Sequence, residues 1–163
     1  MQFFQHKLAI LVFAASTTVF ANLAQAESHN ALLDKNKFSI GAGISNNSIS
    51  GPASDETGFQ FFGAYQLDQV NVMAGVKSSV EFGYMDYGFR QDSDGLWATY
   101  VVDGLISGDL GWLARAGVDF GDDSGLMVGA GLAYYLDQRS TLRFEYVIRD
   151  DIDSLQVNYL FHL

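Results

Sequence analysis

No cysteine occurs among the 163 residues, which excludes disulfides, thiolate metal sites and thiol nucleophiles. Proline occurs once, at Pro52, and histidine three times, at His6, His29 and His162. So few histidines form no HExxH or other metal-binding pair, and no serine sits in a GxSxG elbow. No His/Ser pair resembles that of an acyl-modifying enzyme. The glycine pairs Gly41/Gly43 and Gly129/Gly131 lack the third glycine of a dinucleotide site and read as packing positions in strands. Positive charge is scarce: 9 Lys and Arg stand against 19 Asp and Glu, for a net charge of −10. Such a surface is a poor partner for nucleic acid. Beyond the first 26 residues, no apolar run approaches the ~20 residues of a helical membrane span.

What is present begins with an export signal. Lys7 supplies a positive start, LAILVFAASTTVF an apolar core, and Ala24-Gln25-Ala26 a small-x-small cleavage site. An anchoring helix is the competing reading, but the apolar run is too short to cross ~30 Å of hydrocarbon. Residues 1–26 are thus expected to be removed, which leaves 137 residues carrying 8 basic and 19 acidic side chains. That length is one domain's worth of chain. Residues 27–36 show no period and read as a short leader.

From Lys37 onward the chain alternates. The 48% hydrophobic and 14% aromatic content is spread by period-two patterning, and 17 glycines suit strands and tight turns. KFSIGAGIS sets Phe38, Ile40, Ala42 and Ile44 on one face, and NNSISGPASDE follows as a loop. GFQFFGAYQL sets Phe59, Phe61, Tyr65 and Leu67 against Gln60, Ala64 and Gln66. Gly75 to Tyr87 sets Val76, Val80, Phe82 and Tyr84 against Lys77, Ser79, Glu81 and Gly83. Leu96 to Ile106 is ambiguous, because Trp97, Val101 and Leu105 oppose Leu96, Tyr100 and Val102 with few polar residues to mark a side. WLARAGVDF, LMVGAGLAYYL, TLRFEYVIR and SLQVNYLFHL complete about eight antiparallel strands joined by short turns. Strands of ~9–11 residues match a tilted membrane crossing, and eight of them use residues 37–163 almost completely.

Period alone does not say which face points inward. A soluble lipocalin-like barrel keeps its apolar face inside and covers its outside with charge, whereas a membrane barrel does the reverse. Here the polar face is mostly Gly, Ser, Ala, Gln and Asn, a thin coat for water but a suitable filling for a narrow bore. Tyr65, Tyr84, Tyr134 and Tyr146 fall near strand ends on the apolar face, as expected where a barrel wall crosses lipid headgroups. The membrane orientation is therefore favoured. It places Lys77, Glu81, Arg115, Asp119, Arg143, Glu145 and Arg149 in the lumen as a ladder of ion pairs, since an unpaired charge there would be costly. The ladder reads as a structural plug, with a gate or narrow pore as the lesser alternative. Asp92, Asp94, Asp122, Asp123, Asp150, Asp151 and Asp153 fall in outside loops as turn formers, with divalent-cation binding at lipopolysaccharide as a weaker reading. His162 points into the mouth as a polar structural residue, a catalytic base being the lesser reading.

GAGLAYYLDQRSTLRFEYVIRDD (residues 129–151) and LQVNYLFHL (155–163) resemble the sixth-to-seventh and closing strands of the small outer-membrane β-barrel proteins of Gram-negative bacteria, similar to the transmembrane domain of outer membrane protein A. The resemblance is best from Trp112 to Leu163; the N-terminal half matches only in pattern. It implies an all-β, eight-stranded antiparallel up-and-down transmembrane β-barrel in the outer membrane, behind a cleavable signal peptide. It implies a monomer with no enzymatic activity or cofactor, in contact with outer-membrane lipid and lipopolysaccharide, serving envelope integrity or surface interaction. It further implies that Tyr159, Phe161 and Leu163 form the C-terminal signal read by the barrel assembly machinery. The chain departs from the family by ending in Leu163 rather than in an aromatic residue.

Overall fold

The computed structural model describes residues 33–49, 55–68, 70, 72–89, 93–121 and 123–163. The export signal, most of the leader, the Pro52 loop, Asp92 and Asp122 lie outside the described residues. Eight strands follow a short 3-10 turn at Lys35–Lys37: β1 (Phe38–Ile49), β2 (Glu56–Gln66), β3 (Val76–Asp86), β4 (Asp94–Ser107), β5 (Leu110–Asp119), β6 (Gly125–Tyr135), β7 (Ser140–Ile148) and β8 (Ile152–His162). Each pairs antiparallel with its sequence neighbour, and β8 returns to β1 to close the barrel.

Closure removes every sheet edge, so the whole wall is hydrogen-bonded without help from water. One rim carries the connections after β2, β4 and β6, the tightest turn of the barrel among them. Gly108 and Asp109 join β4 to β5, with Gly108 at φ 55, a sign of φ that hairpin turns require and side chains resist. This lower rim also carries the start of β1 and the end of β8. The opposite, upper rim carries the connections after β1, β3, β5 and β7.

The two faces of the wall are sorted as a membrane requires. On β7, Phe144 is 49% exposed between Arg143 at 6% and Glu145 at 1%, and on β6 Leu126 is 77% exposed. A water-soluble barrel has the opposite arrangement, so the apolar face belongs against acyl chains. Outward tyrosines ring both rims. Near the upper one, Tyr84 Oη donates to Asp94 Oδ2 at 2.8 Å and Tyr146 Oη to Asp153 Oδ2 at 2.9 Å, so the ring body lies on the apolar wall and the phenol finds a polar partner.

The bore is filled more apolarly than small polar residues alone would fill it. Phe62, Met85, Tyr87, Trp97, Met127, Val147, Ile152 and Leu160 form one buried cluster inside the barrel. Room for the rings comes from cross-strand glycines: Gly41 pairs with Phe62, Phe62 with Gly83, and Gly83 with Trp97. A Cβ on Gly41 would come within 2.3 Å of the Phe62 ring, and one on Gly83 within 2.5 Å of the Trp97 ring. Alternating nothing with an aromatic ring packs a bore too narrow for four side chains abreast.

Two sequence expectations change. β1 runs to Ile49 rather than ending at Ser45, because Asn47 turns inward and is fully buried in hydrogen bonds. On β4, Trp97 and Val101 face inward and are fully buried, so the apolar run there is a filled interior row beside a lipid-facing one.

Candidate functional site

The inward side chains fall into three levels, and the strand period decides who meets whom. At mid-height, Glu81 of β3, Arg115 of β5, and Arg143 and Glu145 of β7 converge. Arg115 Nη2 lies 2.5 Å from Glu145 Oε2 and 3.2 Å from Glu81 Oε2, and Arg143 Nη1 donates to Glu81 Oε1 at 2.6 Å. Two cations thus meet two anions with almost no solvent exposure, the condition under which charge is tolerated in a low-dielectric interior. Amides extend the level: Asn158 Nδ2 donates to Glu145 Oε1 at 2.9 Å, and Gln60 Nε2 donates to Gln156 Oε1 at 2.8 Å and Asn158 Oδ1 at 2.6 Å. The Arg115 guanidinium also lies over the Trp97 ring at 5.5 Å. Its Nε and Nη1, with Trp97 Nε1 and Thr99 Oγ1, are buried without a hydrogen-bond partner among the described residues.

The upper level is a closed circuit. Asp119 Oδ2 accepts from Arg149 Nε at 3.1 Å and, through a short contact, from Tyr87 Oη. Arg149 Nη1 donates to Ser154 Oγ at 2.7 Å, Ser154 Oγ to Asn47 Oδ1 at 2.6 Å, and Asn47 Nδ2 to the Tyr87 carbonyl at 2.8 Å. The circuit ties β1, β5, β7, β8 and the end of β3 together below the outer loops. Asp123 braces the loop above it, its two oxygens accepting the Asp151 and Ile152 amides at 2.9 Å each. Among the described residues, no three His, Asp or Glu side chains gather to hold a metal ion.

The lower level is open, a recess of about 360 Å³ at the lower rim lined in part by Lys77, Asp103, Tyr135, Thr141, Arg143 and His162. Tyr135 Oη donates to Asp103 Oδ2 at 3.0 Å, and Lys77 Nζ stands 6.0 Å above the Tyr135 ring. His162 bridges strands: Nδ1 meets Ser39 Oγ of β1 at 2.7 Å and Nε2 meets Thr141 Oγ1 of β7 at 3.1 Å. Outside the wall at this rim, Lys37 Nζ lies 2.8 Å from Asp68 Oδ2. Hydrogen bonds from Lys37 and Gln66 hold the Asp68 carboxyl below the usual carboxylate range.

Of the seven lumen residues named from sequence, Glu81, Arg115, Arg143 and Glu145 come together, and Asp119 and Arg149 form a separate pair. Lys77 joins neither. It sits four residues below Glu81 on β3, ~13 Å along the strand, and forms no ion pair with another described residue. The single ladder expected from sequence is therefore two isolated charge levels, separated by Val147 on β7 and Gly117 on β5. Closure also brings a serine to a histidine, Ser39 to His162, which no sequence spacing places together. The far nitrogen of that ring meets the Thr141 hydroxyl, where a hydrolytic triad would place a carboxylate, and among the described residues no carboxylate hydrogen-bonds it. Phe62 had one signal in the sequence: consecutive phenylalanines in a strand point to opposite faces, so one of Phe61 and Phe62 must enter the bore. At the lower rim, Tyr159, Phe161 and Leu163 share the outward face of the last strand. Tyr159 Oη donates to Ser140 Oγ at 2.9 Å, the Arg139 guanidinium lies over Phe161 at 5.8 Å, and the Leu163 amide donates to the Phe38 carbonyl at 3.0 Å.

No protein-family model matches the chain, and neither does any curated protein. Solved structures do. The chain is similar to a barrel reported as de novo design of transmembrane β-barrels, with a TM-score of 0.57 at 15% identity, covering 80% of this chain and 98% of that one. It is similar to the outer membrane enzyme PagL, with a TM-score of 0.54 at 14% identity over 77% of this chain and 99% of that one. The attachment invasion locus protein Ail of Yersinia pestis matches at 17% identity over 77% and 95% of the two chains, with a TM-score of 0.49. The shared property is the fold, that of the small eight-stranded outer-membrane β-barrels. One of these proteins is a design and another an enzyme, so the fold by itself leaves activity open.

Proposed function

From the fold of a small outer-membrane β-barrel we infer that this chain is a non-enzymatic integral protein of the outer membrane, a monomer with a sealed interior, contributing to envelope integrity or surface interaction. The observation that carries this reading is the inverted sorting of the wall together with a bore closed by two polar levels and an aromatic row. Residues 1–26 direct export, and the outward face of Tyr159, Phe161 and Leu163 is what the barrel assembly machinery reads. Lipid acyl chains cover the apolar belt, and lipopolysaccharide surrounds the upper rim. No cofactor enters the scheme.

Fractionation tests the location: the protein is expected in detergent-extracted outer membrane as a band whose gel mobility changes on heating, and release by osmotic shock would reject it. Conductance in planar bilayers tests the seal, with no discrete channel steps expected. A narrow passive channel is favoured by one observation, the unpartnered Arg115 nitrogens, which leave the mid-height cluster free to re-pair. If Glu145→Gln or Arg143→Gln left thermal stability unchanged and produced conductance, the channel would replace the plug.

A further inference from the structure

The mid-height and upper levels consume their charges internally; the lower recess does not. Lys77 is exposed, and its ammonium makes no ion pair with a described residue and lies 6.0 Å from the centre of the Tyr135 ring. Arg143 reaches the same recess from the opposite wall, with Nη1 engaged by Glu81 above. Two carboxylates share the space. Asp103 stands directly across from Lys77 in the β3–β4 register and accepts the Tyr135 phenol on Oδ2, and Asp137 accepts the Arg139 amide on Oδ1. Neither carboxylate has a described cation within ion-pair distance, so each keeps one oxygen for another donor.

Lys77, Asp103 and Asp137, none within ion-pair distance of a described partner, line a recess of about 360 Å³ with Arg143, already paired to Glu81, at its upper end, and form a two-signed seat. The volume lies in the range of small-molecule sites, and the phenol ring supplies one apolar flank. A simple anion would meet two carboxylates there, and a simple cation would meet Lys77 and Arg143. A molecule carrying both charges, a few bonds apart, satisfies both sets. We propose that the lower recess binds small zwitterions that carry an ammonium and a carboxylate, of the size of a short peptide, with the carboxylate toward Lys77 and Arg143 and the ammonium toward Asp103 and Asp137. The recess opens at the rim that carries the end of β8, which the outer-membrane reading turns toward the periplasm.

The test uses the purified full barrel in lipid nanodiscs, with triglycine as probe and backbone amide shifts as readout. Saturable shifts are expected around Lys77, Asp103, Tyr135 and Arg143, with none at Asp119 or Arg149. Capping either charge of the probe, as N-acetyl-triglycine or triglycine amide, is expected to weaken binding roughly threefold to fivefold, the worth of one partly exposed charge pair. Lys77→Gln is expected to reduce discrimination against the amide, and Asp103→Asn discrimination against the acetylated form, with Arg143 and Asp137 keeping the remainder. The capped probes need no variant, so a misfolded substitution leaves the test intact. Absence of saturable shifts at the recess, or equal binding of all three probes, would overturn the proposal. Such a failure would leave the membrane and seal readings standing, since fractionation and conductance judge those separately.

Discussion

The two polar levels of the bore both set arginine against carboxylates and reach different degrees of completion. In the upper one, Asn47, Tyr87, Asp119, Arg149 and Ser154 pass hydrogen bonds around a closed loop. At mid-height, a quartet of balanced charges leaves Arg115 Nε and Nη1 unpartnered among the described residues. The difference follows from geometry. Serine and asparagine are short and sit on adjoining strands, so their donors reach acceptors at fixed angles. A guanidinium reaching across the bore is positioned by charge, which constrains distance more than direction. The upper level therefore specifies one arrangement, and the middle level tolerates several while resisting any loss of charge balance.

The largest effect that separates them is expected from Glu81→Ala. Two buried guanidinium groups lose their shared partner, and unfolding in detergent, read by the heat-dependent gel shift, is expected to lose about 3–5 kcal/mol. Combining it with Arg143→Met is expected to recover part of that loss, by a coupling of about 0.5–3 kcal/mol. Breaking the upper circuit should cost less: Asn47→Ala leaves one buried hydroxyl donor and one carbonyl without partners and is expected to cost about 1–3 kcal/mol, with no change in conductance. If Asn47→Ala proved the costlier change, the ranking of the two levels would be reversed. The smallest effect belongs to the exposed pair outside the wall. Asp68→Asn is expected to leave the unfolding midpoint at neutral pH within error. Because the Asp68 carboxyl is held below its ordinary range, its contribution exists above that range and fades as the pH falls below about 4. Wild type and Asp68→Asn should therefore converge in acid.

Much of this wall was legible from alternation, because hydrocarbon outside and polar groups inside force a period of two on every strand. Strands β5, β7 and β8 read cleanly, since Arg115, Arg143, Glu145, Gln156 and Asn158 mark the inner face. β4 was illegible for the same physical reason that it packs well: Trp97 and Val101 fill the bore beside an equally apolar outer row, and two apolar rows carry no period. Asn47 reads as a loop residue because asparagine is a turn former when nothing else is known, whereas its partners Tyr87 and Ser154 lie 40 and 107 residues away. The charged residues of the interior were identifiable by face, but not their division into levels. That division depends on stagger between strands, which no single strand records. Ser39 and His162, 123 residues apart, meet only because the first and last strands close the circle.

The alternation of Gly41, Phe62, Gly83 and Trp97 makes the filling separable from the container. Backbone ladders hold the cylinder, while two rings enter the bore from either side of Gly83, where the wall carries no side chain. Trimming those rings would hollow that row without severing a single inter-strand bond, while the two polar levels would still stand across the bore.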